Sequence, residues 1–67
     1  MNATLKAGTK YRTMANLGVL SDFVILNTDS KVELFALSET DDDSGLNTYV
    51  LDGVTIYVRN ADEVKKG

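Results

Sequence analysis

The chain has 67 residues, a formal net charge of −3, and neither Cys nor His. A domain of this size removes only about 60% of its unfolded surface from water, and this composition excludes disulfides and a zinc-type site as reinforcement. We therefore expect a single domain over residues 1–67 that gains stability by forming a homodimer.

The N-terminal third is basic and contains no acid. Its three bases are Lys6, Lys10 and Arg12. Loose alternation predicts a first strand over residues 9–14, and residues 15–21 fit a helical turn or a crossing loop because Gly18 disfavours a long helix. No apolar signal-peptide core is seen at the start, and no apolar run approaches the roughly 20 residues that span a bilayer. We expect a cytoplasmic protein that makes no membrane contact.

Two apolar runs follow, residues 23–27 and 32–37, on either side of turn-forming residues. Asp29 and Ser30 favour a tight turn, so the pattern predicts a β-hairpin. Apolar side chains fall on both of its faces, which is typical of a strand pair inside a barrel or against a second subunit. The residues expected in a dimer interface are Val24, Leu26 and Phe35.

The most unusual stretch lies between residues 38 and 46, where four acids occupy five positions and no base is present. These acids are Glu39, Asp41, Asp42 and Asp43. The stretch predicts a solvated loop, and its plain interpretation is a solubilising one. As an extended segment it would place alternate acids about 7 Å apart, on the order of the spacing between successive phosphates.

A second hairpin is predicted around Asp52-Gly53, a dipeptide that suits a two-residue type I′ turn between two β-branched and aromatic runs. This turn pairs Leu51 with Val54 and Tyr49 with Ile56 on the inner face.

The order of these elements predicts an all-β fold. One N-terminal strand and two hairpins suit a small antiparallel sheet or a five-stranded barrel, an architecture that hosts many functions and specifies none. Residues 60–63 resemble a helix cap followed by Glu, which predicts a short helical turn at the C-terminal end.

Catalysis is not expected from this sequence. The residues that most readily work near neutral pH, His and Cys, are absent, and the clustered carboxylates are too polar to acquire the raised pKa that acid–base chemistry needs. A calcium loop with Gly45 at its sixth position would place Leu51 at the twelfth, where Glu is required. We predict no catalytic residue, no metal and no cofactor.

In its short length, its lack of Cys and His and its clustered acids, the chain resembles the small acidic phage proteins that inhibit host DNA-binding proteins by imitating the charge of DNA. The resemblance implies an acidic interaction module that binds and blocks a basic, nucleic-acid-binding protein, in the host cytoplasm if the chain is phage-encoded. Asp29 and Glu33 are expected to widen the acidic surface. The acidic balance argues against direct nucleic-acid binding by the chain itself.

Two alternatives remain open. The first is a structural β subunit that self-associates through its two-sided apolar hairpin. The second is a small barrel that binds single-stranded nucleic acid, with bases interleaved among aromatic residues as on a stacking platform. Its candidate residues are Lys6, Lys10, Tyr11 and Arg12, joined by Tyr57 and Arg59 if the first and last strands are neighbours.

Overall fold

A computed structural model describes residues 2–14 and 19–64 of the chain. Within these ranges the chain forms six β-strands and no helix. The strands are β1 (Asn2–Leu5), β2 (Lys10–Thr13), β3 (Val24–Ile25), β4 (Ser30–Ala36), β5 (Leu46–Leu51) and β6 (Val54–Arg59). The predicted all-β class is confirmed.

The described strands run antiparallel to their neighbours in one open sheet of order β1-β4-β5-β6-β2-β3. β1 and β2 stand first and fifth in this order, yet only residues 6–9 connect them. In a flat sheet these strands would lie about 19 Å apart, more than the roughly 16 Å that the backbone spans between Leu5 and Lys10. The sheet must therefore curl strongly.

The concave face of the curled sheet carries the hydrophobic core. Its buried apolar residues are Leu5, Leu26, Val32, Tyr49, Ile56 and Val58. Because side chains alternate along a strand, Ile56 and Val58 are almost completely buried while Tyr57 between them points to the convex side. We call this convex side the outer face.

β5 and β6 form the hairpin that Asp52-Gly53 predicts. Leu51 pairs with Val54, and Tyr49 pairs with Ile56. The φ angles of Asp52 and Gly53 are 51° and 82°, the left-handed values that a type I′ turn requires. The predicted pairing is confirmed, and Tyr49 and Ile56 are buried in the core, whereas Val54, next to the turn, is 52% exposed.

The hairpin predicted around Asp29 is wrong. β3 pairs with β2, and β4 lies between β1 and β5. The backbone of Leu26 is bonded elsewhere, since its N–H donates to the carbonyl of Thr9 at 2.9 Å and its carbonyl accepts from the N–H of Gly8 at 2.8 Å. Asp29 accepts a hydrogen bond from the N–H of Ala7 at 2.8 Å. The turn thus joins two strands that pair with other partners.

The ends of the predicted elements also differ from the observed ones. The strand predicted over residues 9–14 is observed as β2, whereas β1 was not predicted. Of the turn or loop predicted over residues 15–21, the first four residues lie outside the described ranges. Residues 60–63 form a turn in which the N–H groups of Asp62 and Glu63 donate to the carbonyl of Arg59, at 2.9 and 3.1 Å, and not a helix.

Candidate functional site

Residues 38–45 connect β4 to β5 and are here called the acidic loop. Asn47, on β5, anchors the start of this loop. Its Oδ1 accepts a hydrogen bond from the N–H of Ser38 at 2.9 Å, and its Nδ2 donates to Oδ1 of Asn60 at 2.7 Å. Asn47 is only 4% exposed, and a buried amide that loses its partners is costly. The loop is therefore attached to the sheet through a buried polar contact.

Asn60 anchors the middle and the end of the acidic loop. Its Nδ2 donates to the carbonyls of Thr40 at 3.1 Å and Asp42 at 2.8 Å, and its N–H donates to the carbonyl of Gly45 at 2.8 Å. Gly45 is buried, and a Cβ at this position would lie 2.5 Å from Asn60 Nδ2, 2.8 Å from the Thr40 carbonyl oxygen, and against Ser38 Oγ. Glycine is needed here for space, because only its hydrogen fits beneath the loop.

Asp42 stabilises the loop from within. Its Oδ1 accepts hydrogen bonds from the hydroxyl of Ser44 at 2.6 Å and from the N–H of Ser44 at 3.0 Å. The Ser44 hydroxyl is the main cause that lowers the pKa of Asp42, with the Thr40 hydroxyl and the Ser44 N–H adding to it. Asp42 thus acts as a structural turn residue, and its carboxylate is already engaged within the chain.

The other three acids of the loop, Glu39, Asp41 and Asp43, are exposed. Within residues 2–14 and 19–64, none of them forms an ion pair. The loop bends at Glu39 and turns at Asp43, so the extended conformation considered from the sequence is wrong, and with it the even 7 Å spacing. What the loop presents is a compact group of three solvated carboxylates on an ordered backbone.

The structure does not bring Asp29 to the acidic loop. Asp29 precedes β4 and the loop follows it, so the two are separated by the length of that seven-residue strand, about 20 Å. Oδ2 of Asp29 lies 3.6 Å from Lys6 Nζ. The hydrogen bond from the N–H of Ala7 is the main cause that lowers the pKa of Asp29, and Lys6 adds to it. Glu33 lies within β4, paired with Val50, and about 16 Å of strand separates it from the start of the acidic loop, so it too lies apart from the loop.

The residues expected in a dimer interface are divided by the structure. Leu26 is buried in the core of its own chain, so its assignment to an intermolecular surface is corrected. Val24 is 45% exposed on β3, and Phe35 is 75% exposed on β4. Phe35 lies at a bulge, where the register with β5 shifts between Leu34 and Ala36. A bulge re-aims side chains, and this one leaves Phe35 in solvent close to the acidic loop.

Two further apolar residues beside the acidic loop were not identified from the sequence. Leu37 and Leu46 flank the loop at its two ends and are 61% and 40% exposed. With Phe35 they supply apolar surface next to the three free carboxylates. Alternation along a single strand does not predict that these three apolar residues are exposed together, because their exposure depends on the position of the bulge in β4.

The candidate residues for binding nucleic acid separate into two groups. Arg12 pairs directly with Tyr57 because β2 and β6 are neighbours. The strand predicted first and the last strand are therefore adjacent, which was the condition for adding Tyr57 and Arg59 to the candidate residues. Lys6 lies in the β1–β2 connection near Asp29, and Tyr11 packs against the core. These two residues do not belong to the surface around Arg12.

No protein-family model, curated protein or solved structure matches this chain. In the part of the chain that the structure describes, no pocket is found and no three acidic side chains are placed to hold a metal ion. That part also contains no helix with the length and apolar character needed to cross a bilayer.

Proposed function

We propose that this chain is a non-catalytic interaction module that binds a basic, nucleic-acid-binding protein through the acidic loop and blocks its nucleic-acid site. The observation that carries the proposal is the anchoring of the loop by Asn47 and Asn60. A loop that only increases solubility needs no buried anchor. Here the backbone is held in place while the carboxylates of Glu39, Asp41 and Asp43 remain solvated and unpaired within the described chain.

The charge of the loop favours the encounter with such a partner. Exposed carboxylates opposite Lys or Arg accelerate association more than they tighten the final complex, and the effect weakens with salt. Because the loop backbone is already ordered, less conformational entropy is lost when it binds.

The apolar residues beside the loop supply the desolvated centre of the proposed interface, and the carboxylates supply its charged rim. Phe35, Leu37 and Leu46 are exposed around the two ends of the loop. Binding energy concentrates on aromatic and apolar residues that are desolvated at the centre of an interface, with charges at its rim. The partner proposed here therefore carries a basic rim around an apolar depression.

Affinity capture tests the proposal. The intact chain and a loop variant, Glu39→Gln/Asp41→Asn/Asp43→Asn, serve as baits in a nuclease-treated bacterial lysate, with elution by rising salt. We expect the intact chain to retain a basic nucleic-acid-binding protein that the loop variant loses. The purified partner is then bound to labelled DNA, which the intact chain should displace.

A matched variant removes the same number of charges outside the loop: Asp22→Asn/Glu33→Gln/Asp52→Asn. It should behave like the intact chain, because its substitutions leave the three loop carboxylates in place. If the loop variant captures the same proteins as the intact chain, or both variants lose them equally, the acidic loop is not the binding element. If the partner is retained but DNA is not displaced, the blocking role is wrong.

A further inference from the structure

A second surface, opposite in charge to the acidic loop, lies on the outer face around Arg12. Arg12 on β2 pairs with Tyr57 on β6, and Tyr57 pairs with Thr48 on β5. Lys10 lies two residues before Arg12 and Arg59 two residues after Tyr57, so the alternation of each strand places them on the same side. We call Lys10, Arg12, Phe23, Tyr57 and Arg59 the basic-aromatic face.

Phe23 completes this face. It lies immediately before β3, which neighbours β2 on the side away from β6. The guanidinium carbon of Arg12 lies 4.0 Å from the centroid of the Phe23 ring, and Nζ of Lys10 lies 6.0 Å from it. Both are cation–π distances, and the shorter one brings the flat guanidinium directly over the ring. Phe23 still exposes 42% of its surface. The side chain of Arg12 is thereby held in one orientation.

The bases on this face form no ion pair with any residue that the structure describes. The one ion pair among the described residues joins Lys6 to Asp29 and includes none of the bases of this face. Nε of Arg12 is buried and has no hydrogen-bond partner in the described chain. Neither Asp22 nor Asp62 forms an ion pair with these bases, but the Lys10 N–H donates to the carbonyl of Asp62 at 3.2 Å, so the turn that contains Asp62 lies beside Lys10. Lys10, Arg12 and Arg59 therefore have no ion-pair partner among the described residues, although Asp22 adjoins Phe23 and the turn with Asp62 and Glu63 follows Arg59.

We propose that the basic-aromatic face binds single-stranded nucleic acid. Phe23 immediately precedes β3, and Arg12 and Tyr57 lie on the next two strands, β2 and β6, so Phe23 and Tyr57 are about 10 Å apart across the sheet. This distance suits successive unstacked bases, which stack on aromatic rings and on Arg planes while Lys and Arg contact the phosphates. A surface that combines bases for the phosphates with aromatic rings for stacking is what sequence-tolerant single-strand binders use.

Duplex nucleic acid fits this face less well. Its bases are stacked in the helix interior, so it would engage only Lys10, Arg12 and Arg59 and leave both rings unused. The surrounding acids repel a duplex more strongly, because its charge density is higher. Preference for single strands therefore distinguishes stacking from simple attraction of a polyanion.

Fluorescence anisotropy with labelled single-stranded oligonucleotides of roughly twelve nucleotides, oligo-dT and oligo-rU, tests the inference at low salt. We expect saturable binding that weakens as salt rises. Arg12→Gln and Phe23→Leu should each weaken it by about tenfold. Amide chemical-shift changes in the unmodified protein should map to β2, β3 and β6, a readout that needs no variant to fold.

The chain offers matched controls for both substitutions. Lys31→Gln removes one charge from β4, and Phe35→Leu alters the second of the two phenylalanines. Both should bind within about twofold of the intact chain. The inference is overturned if neither oligonucleotide binds, if a duplex binds as tightly as the single strands, or if controls and face variants lose affinity equally. Stronger binding of oligo-rU or of oligo-dT assigns the face to RNA or to DNA. The outcome is independent of the acidic-loop test.

Discussion

Asn47 and Asn60 are joined by a side-chain hydrogen bond of 2.7 Å, and from this pair the acidic loop receives its bonds to the sheet. The contact is small, but it converts a run of acids into a defined surface. Each asparagine uses both its oxygen and its nitrogen, so neither is replaceable by an apolar residue without leaving a loop group unpaired.

We predict that Asn47→Ala destabilises the fold by about 1–3 kcal/mol, because it leaves the N–H of Ser38 and Oδ1 of Asn60 without their hydrogen-bond partner in a part-buried site. Urea unfolding measures the loss, and hydrogen exchange at Ser38 and Thr40 should accelerate beyond the global effect. Asn27→Ala, at an exposed position, is the control and should change stability by less than about 0.5 kcal/mol. Equal losses in the two variants would contradict the anchoring role.

Gly45→Ala should cost about 1–3 kcal/mol, because its methyl group would overlap Ser38, Thr40 and Asn60. Gly53→Ala is the informative comparison. Its Cβ would meet no atom within 4 Å, but Gly53 has a φ of 82°, so the penalty there is conformational and about 1 kcal/mol. Adding Asn60→Ala to Gly45→Ala should recover part of the loss, whereas it should not rescue Gly53→Ala. Additive effects of the Gly45 and Asn60 substitutions would contradict the steric explanation.

The lowered pKa of Asp42 predicts an acid-sensitive loop. Its carboxylate in the folded protein resists protonation below the ordinary value of 3.8, so its stabilising contribution is present above that pH and is lost as pH falls through the folded pKa. Carbon-detected NMR titration should show this pKa, and Ser44→Ala should raise it towards 3.8. An unchanged Asp42 titration in Ser44→Ala would show that the Ser44 hydroxyl is not the cause.

Tyr49 predicts a loss of stability at high pH. Burial, reinforced by the adjacent Glu63 carboxylate, which accepts a hydrogen bond from the phenol at 3.0 Å, raises the pKa of Tyr49 from 10.0 to about 12. The unfolded chain releases this proton first, so stability falls between pH 10 and pH 12. Tyrosinate absorbance during unfolding at several pH values measures the effect. Tyr49→Phe should remove this part of the pH dependence. If the stability of Tyr49→Phe still falls to the same extent between pH 10 and pH 12, another group causes the loss.

Leu26 and Phe35 should respond in opposite ways to truncation. Leu26→Ala removes a core side chain and should cost about 2–5 kcal/mol. Phe35→Ala should change monomer stability by less than about 0.5 kcal/mol, because the ring is 75% exposed. Urea unfolding at low protein concentration compares them. A large loss in Phe35→Ala that grows with protein concentration would instead indicate that Phe35 is covered by a second copy.

Local patterns predicted this fold where the deciding interactions are local. The β5–β6 hairpin follows from Asp52-Gly53, since the turn type fixes both the pairing and the side chains that face the core. The turn at Asp29 has similar chemistry, but there the partners of Leu26 are Gly8 and Thr9, far away in sequence. Turn propensity reports a reversal of the chain and does not say which strands pair across it.

The same limit applies to the candidate surfaces. The acids of the loop were found from composition, but their anchors, Asn47 and Asn60, are ordinary polar residues whose role depends on the β5–β6 register. The sequence placed Phe23 in a hairpin with residues 32–37, and only the pairing of β2 with β3 brings it beside Arg12. Side chains brought together by non-local strand order leave no spacing pattern in the sequence.

Thr9 is fully buried, and its hydroxyl accepts a hydrogen bond from the N–H of Val64 at 3.1 Å, a contact between residues 55 positions apart. Synthesis on the ribosome releases the N-terminal residues first, so β1 and β2 emerge long before the segment that closes over Thr9. Contacts of such high sequence separation form slowly. The nascent chain is therefore expected to remain incompletely folded throughout translation and to reach its native state only after residue 64 leaves the exit tunnel.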